Sequence, residues 1–299
     1  MSNLAVITPS FGPDAAIFQD LRRSVLEHTS SSTVHHVIVP RGDRSTFARF
    51  AGERCVVRTE PELLPRRYVR TPARGLWLNL HRPWPPTRGW VLQQALKIAT
   101  AGLLRTTVVL IADSDVALVR AVDPIDVVRN GQVMLYRLEG AVHAGMERHV
   151  RWHQVARRLL GIDAADAAAR PPLHDYVSSF NVWDPSIVRG MQARIGEVTG
   201  RHWLDAVTSE LHVSEFVLYG VYVDEVLGGR EPGGYLGAEF CHNYWDDTPL
   251  DRAGAEAFAA GIGPDALAVM ISAKSRTPRD VRRWAEQRCR ERLSSLGAG

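Results

Sequence analysis

Cysteine, lysine and long apolar runs are all scarce in this chain. Its three cysteines, Cys55, Cys241 and Cys289, are odd in number, widely spaced and without a C-x-x-C pattern, which excludes a disulfide framework and leaves a reducing cytoplasm as the expected compartment. No run of about 18 apolar residues occurs, so no membrane span is expected. The opening Met-Ser-Asn-Leu-Ala-Val-Ile-Thr-Pro lacks the basic and apolar regions of a secretion signal. Lysine occurs only at 97 and 274, every other of the 36 basic residues being arginine, as codon bias in a high-G+C bacterium would produce. A formal net charge of +3 is too small to argue for nucleic acid, whose binding rests on many phosphate contacts. A hydrophobic content of 45% and a charged content of 23% describe an ordinary folded domain and exclude disordered and fibrous classes.

Against that background one segment stands out. Val108 to Ala112 is an unbroken apolar run ending abruptly in Asp113-Ser114-Asp115. Such a run reads as a strand buried on both faces, and ligand sites in open α/β sheets lie just beyond the carboxyl ends of such strands. With extended backbone, residues two apart point the same way, so both carboxylates address one space and Ser114 faces elsewhere. At roughly 5 Å and an effective dielectric near 20 the two charges repel by about 3 kcal/mol. A divalent cation relieves this, and hard oxygen ligands suit Mg²⁺ or Mn²⁺, which keep open positions for water and for substrate phosphates.

The rest of the chain reads as α/β. Leu4–Thr8 is a first strand, followed by a helix with Ile17, Phe18, Leu21 and Val25 inward and Asp20, Arg22 and Glu27 outward. Val34–Val39 is a second strand and Cys55–Val57 a short third, the opening of a parallel sheet. Residues 59–88, with six prolines, read as a long surface segment packing through Trp77 and Trp84. A helix over 89–104, with Val91, Ala95, Ile98 and Leu103 inward, delivers the chain into the Asp113 strand, and Gln132–Leu138 is a further strand. The remainder is more helical: Arg148–Leu160 stopped by Gly161, a connecting stretch at Ala164–Ala169, a strand in Tyr176–Trp183, a helix begun by Asp184-Pro185 and stopped by Gly200, a helix capped by Ser214 and running to Leu227, and a last helix opened by a capping box at Thr277–Asp280 and running to Leu293. No repeat and no clear linker divides 1–299, so a single domain is expected.

Two enzyme classes place D-x-D after an apolar strand. Phosphohydrolases of the haloacid-dehalogenase type use D-x-D-x-[TV], usually on the first strand; there Asp113 would be the nucleophile and Asp115 the general acid. Here the fifth position is Ala117 and more than 100 residues precede the motif, which favours nucleotide-sugar glycosyltransferases of the GT-A type. Further stretches resemble a bacterial family of GT-A-type glycosyltransferases common in actinobacteria: Arg88-Gly89-Trp90 with Gln93, Gln94 and Lys97, then Asp113-Ser114-Asp115, Arg148 to His153, Asp175 to Ser179, and Ser214-Glu215-Phe216 with Leu218-Tyr219-Gly220. The resemblance implies a GT-A-like, Rossmann-like mixed sheet flanked by helices. It places a nucleotide-binding half at 1–140, ending in the D-x-D motif, and an acceptor-side half at 141–299.

The expected activity is transfer of a sugar from a nucleoside diphosphate-sugar, UDP being the expected carrier, to an acceptor hydroxyl or amine on a small molecule or glycan. A nucleotide-sugar-binding scaffold without turnover is the non-enzymatic alternative. Asp113 and Asp115 are the expected ligands of Mn²⁺ (or Mg²⁺), with His242 as third ligand if the ion is Mn²⁺. Lys97, as a flexible point charge, suits a diphosphate, and Gln93, Gln94 and Arg88 join it on donor binding. Thr8, Pro9 and Ser10 follow the first strand where such enzymes seat base and ribose. Ser114 belongs to the same donor site, and Lys274 would meet the phosphates late in closure. Glu215, in the first turn of a helix whose dipole favours its ionised form, is the expected catalytic base if configuration is inverted and an acceptor ligand if it is retained. Asn181, Trp183, Tyr219 and Tyr222 are of sugar-binding type, although Tyr219 fits a core position better. Arginines over 148–158 and 279–292 would suit an anionic membrane surface or a lipid-linked acceptor, a solvated helix face being the plainer reading.

Overall fold

The computed structural model describes residues 3–73, 75–162 and 170–296; the stretch expected at Ala164–Ala169 lies outside them. Strand β1 (Leu4–Pro9) leads into helix α1 (Ala15–His28), followed by β2 (Val34–Val39) and β3 (Cys55–Thr59). A three-stranded antiparallel meander comes next, β4 (Tyr68–Arg70), β5 (Leu76–Asn79) and β6 (Arg82–Arg88), where the prolines had suggested an irregular segment. Trp77 is buried within it as expected, but Trp84 is 79% exposed. Helix α2 (Gly89–Leu103) then delivers the chain into β7 (Val108–Ala112) and β8 (Val116–Leu118). Beyond these come α3 (Glu147–Leu160), β9 (Phe180–Trp183), α4 (Pro185–Thr199), α5 (Glu215–Val221), β10 (Cys241–Tyr244), α6 (Arg252–Ala260), β11 (Ala268–Ile271) and α7 (Arg279–Leu296).

The main sheet has the order β9-β7-β1-β2-β3, parallel except for β9, which lies antiparallel to β7. The chain steps outward from β1 to β2 and β3, then returns to the other side of β1 as β7. Strand alternation divides the core. Ile7, Val109 and Ile111 pack on one side with α2 to α5, and Val6, Val108 and Leu110 pack on the other with α1. All five residues of β7 are buried, as its unbroken apolar run predicts. A second sheet, β10-β11-β8, packs against α6 and α7 around a third cluster. The expected mixed sheet flanked by helices, with the more helical half towards the C-terminus, is what the chain forms.

Several local expectations hold for the stated reasons. Gly161 (φ 68°) and Gly200 (φ 62°) end α3 and α4 in the left-handed conformation, which glycine adopts without a Cβ penalty. Ser214 caps α5, accepting from Val217 N at 3.4 Å. Others are corrected. The single strand over 132–138 is three fragments, because Gln132–Val133, Leu135–Tyr136 and Leu138–Val142 each find a different partner strand. Leu103 ends its helix 67% exposed. The Thr277 hydroxyl is spent on Leu250 N (3.0 Å) and Ser275 Oγ (2.7 Å). Asp20, placed outside by helical spacing, is buried because α7 brings guanidiniums to it: Arg279 Nε and Nη2 donate at 2.6 and 3.1 Å and Arg283 Nε at 2.9 Å. Burial would raise its pKa, but these two arginines hold it below the usual value. The same clamp raises neighbouring Glu286, through burial first and the Asp20 charge second, to about 7.

Candidate active site

Strands β1 and β7 are adjacent and parallel, with the chain leaving β1 towards one side and β7 lying on the other. Their carboxyl ends therefore flank a topological switch point, the place where open α/β sheets bind ligands. Ser10 follows one end and Asp113-Ser114-Asp115 the other. Ser114 is buried and ties the two together, its Oγ donating to Ser10 Oγ at 2.9 Å. The backbone is not extended here: residues 113–116 form a turn closed by Val116 N donating to the Asp113 carbonyl at 3.2 Å, which corrects the expectation that strand alternation aims both carboxylates the same way.

The two aspartates differ in environment. The Asp113 side chain is 45% exposed and has Lys97 Nζ at 3.4 Å. Asp115 is pushed up to about 6, by burial first and by the Asp113 charge second, against the lowering effect of the Ala273 N–H and Arg282. Ala273 N donates to Asp115 Oδ2 at 2.8 Å, and Arg282 fixes that loop by donating to the carbonyls of Ile271, Ser272 and Thr277 at 2.6, 2.7 and 3.2 Å. Lys274, next to Ala273, is exposed at the rim of the site and forms no ion pair among the described residues.

Lys97 and Gln94 lie on the buried face of α2. Lys97 Nζ reaches Glu215 Oε1 at 2.9 Å and sits 4.8 Å from the Phe216 ring centroid. Gln94, with its amide turned to satisfy both neighbours, donates to Glu215 and accepts from Trp90 Nε1 at 3.1 Å. Burial alone would depress the lysine, but the Asp113 and Glu215 carboxylates more than offset it and raise its pKa. Glu215 does occupy the first turn of α5, yet it is 1% exposed and its carboxylate is engaged by Lys97 and Gln94. Sequence reasoning thus found these residues but not their mutual contact.

Other expected members stand apart. Thr8 is fully buried, and its Oγ1 lies 2.9 Å from His35 Nε2, inside the sheet rather than at its edge. Gln93 is half-buried and makes no side-chain hydrogen bond among the described residues. Arg88 lines a cavity of about 590 Å³ with Trp90 and Arg148. His242 is displaced by strand parity. Along β10, Cys241 and Asn243 face Ser179, whose Oγ donates to Asn243 Oδ1 at 2.6 Å. Burial foremost, with the Asp115 charge adding and the Ser179 hydrogen bond opposing, pushes the Cys241 thiol up to about 12. His242 between them faces α6, with Nε2 2.7 Å from the Phe258 carbonyl oxygen and its ring 4.2 Å from the Phe258 ring. Asn181 Nδ2 donates to the Tyr176 carbonyl, and Trp183 stacks on Tyr219 in the core. Asp14 was missed by sequence reasoning. Burial first and the Asp113 charge after it raise its pKa, against Arg282, so a third carboxylate shares the field of the acid pair.

Among the described residues no group of three His, Cys, Asp or Glu side chains is arranged to hold a metal ion. The oxygens of Asp113 and the second oxygen of Asp115 nonetheless fit Mg²⁺ or Mn²⁺, which take one or two carboxylates and complete their shell with water and phosphate.

Fold and site define an α/β protein with two aspartates, Asp113 and Asp115, at the switch point of its main sheet. The chain belongs to the family described as "Family of unknown function (DUF6492)", whose profile matches residues 12–245. No curated protein matches the chain. Similar solved structures include an active-site mutant of LgtC (13% identity, 97% of this chain and 95% of that one, TM-score 0.44), and the galactosyltransferase LgtC with donor and acceptor sugar analogues (12%, 97% and 95%, 0.42). The bifunctional glycosyltransferase WbbM without ligand is a third (11%, 90% and 45%, 0.43).

Proposed function

We propose that the chain is a GT-A-type glycosyltransferase that moves a sugar from a nucleoside diphosphate-sugar, with UDP as the expected carrier, to an acceptor hydroxyl or amine. The observation that carries this reading is the joining of the β1 and β7 ends by Ser10 and Ser114, with a buried lysine directed at the exposed aspartate. Anionic ligands bind at such a crevice, and Lys97 supplies a point charge for a diphosphate oxygen.

Asp113 and Asp115 would hold Mn²⁺ or Mg²⁺, which when bound supplies charge neutralisation for the departing diphosphate. Ser114 and Ser10 keep the two loops in register, and Lys274 stands at the rim, one residue from the backbone that holds Asp115. Glu215, expected as the base, acts in this reading through Lys97: the 2.9 Å ion pair and the Gln94 amide hold the ammonium in place. Lys97 then shifts from Asp113 towards the diphosphate when donor enters.

Melting temperatures measured with each nucleoside diphosphate, with and without Mn²⁺, test the proposal. A ligand at 100 times its Kd adds about 2.7 kcal/mol, roughly five degrees for a chain of this size. A cation-dependent rise for UDP, lost in Asp115→Ala, is the expected result. Equal rises in variant and parent would overturn it.

A further inference from the structure

Two of the resembling stretches, Arg88-Gly89-Trp90 and Arg148 to His153, meet in one place away from the acid pair. Arg88, Trp90, Arg148, Arg151, Leu211 and His212 line a cavity of about 590 Å³, with Glu147 as the one carboxylate in its wall. Trp90 and Trp152 stack with centroids 5.9 Å apart and an interplanar angle of 24°. The Arg148 guanidinium lies 5.2 and 5.3 Å from these two ring centroids. A guanidinium held on aromatic faces keeps its N–H edges free for planar oxyanions.

Arg67, Arg158 and Arg279 pair with Asp205, Glu210 and Asp20, and Arg54, Arg189 and Arg282 donate instead to backbone carbonyls. Arg88, Arg148 and Arg151 form no salt bridge among the described residues. All three charges converge on His212, whose pKa is lowered by burial first and then by Arg151, Arg88 and Arg148. Like charges gathered around one cavity repel each other, and an anion relieves that repulsion.

We infer that this cavity binds an oxyanion-bearing sugar, the phosphate or carboxylate held by Arg88, Arg148 and Arg151 and the apolar face of the sugar laid against Trp90, which is 38% exposed. The cavity adjoins the proposed donor site without coinciding with it. Trp90 Nε1 bonds Gln94, Gln94 bonds Glu215, Glu215 bonds Lys97, and Lys97 bonds Asp113. That the bound sugar is the acceptor rests on the transferase reading. Binding of the anion does not.

Isothermal titration of the intact protein with glucose 6-phosphate, glucuronate and glucose tests the inference, and the first two arms separate a phosphate from a carboxylate ligand. Saturable binding of either anion, with glucose binding weakly, is expected. The exposed pair Arg148→Gln and Arg151→Gln, made together, should weaken that binding by roughly 10-fold or more, about 1.4 kcal/mol. Asp115→Ala, which would abolish cation-dependent nucleotide binding, should leave it unchanged, so the two proposals fail separately. Saturation by neither anion, binding of glucose equal to that of the anions, or unaltered affinity in the double variant would overturn the inference.

Discussion

Lys97→Met is expected to lower folding stability by about 3–5 kcal/mol, because it leaves the Glu215 carboxyl group without its cation in a site that is 1% exposed. The methionine fills most of the lysine's volume, so the loss is electrostatic rather than a cavity. Glu215→Gln should cost less, since Gln94 and the amide can still bond and Lys97 retains Asp113. The double variant Lys97→Met with Glu215→Leu should recover much of the single-variant loss, as replacement of a buried ion pair by apolar side chains often does. Urea unfolding of Lys97→Met, Glu215→Leu and their double variant measures the coupling. Additive effects would show that the 2.9 Å contact contributes nothing of its own.

The second large effect is pH-dependent. Burial foremost, with neighbouring positive charge, lowers His35 to about 3 and His36 to about 4. His153 is also lowered by burial to about 4, despite its hydrogen bond to the His174 carbonyl. A histidine held neutral in the fold but titrating near 6.5 when unfolded gives stability that is present above that value and lost as pH falls below it. Two carboxylates act in the opposite sense over the same range. Glu286, near 7, and Asp115, near 6, bind protons in the folded state first and stabilise it as pH falls. The histidine contribution is therefore read by difference. His35→Gln should be destabilising at pH 7.5, and the gap between variant and parent should close by about 3 kcal/mol by pH 4.5. A gap that stays constant across that range would show that His35 is protonated in the folded protein. His35 bonds Thr8 inside the sheet, so acid acts on the strand that Ser10 follows.

The sheet was legible because its strands are buried on both faces: five apolar residues in β7 leave no other economical reading, and Asp113 and Asp115 follow from where it stops. The meander over 68–88 was not, because its prolines sit on strands that hydrogen-bond through other residues. Lys97, Gln94 and Glu215 were each visible as chemistry-bearing side chains, but their junction spans 118 positions and no local pattern encodes it. Asp20 was hidden for a related reason, since the arginines that make its burial tolerable come from a helix at the other end of the chain. His242 failed on parity. A residue shift of one along β10 exchanges the acid-pair side for the α6 side, and sequence alone did not set the phase of that strand.

The near absence of lysine leaves the molecule with two side-chain amines in opposite circumstances. Lys97 is sealed between two carboxylates and a phenyl ring, whereas Lys274 is exposed one residue beyond the amide that grips Asp115. An acylating dye thus meets a single accessible ammonium group along the described side chains, and it stands at the lip of the cleft. The bias towards arginine has left one accessible side-chain amine for placing a reporter beside the acid pair.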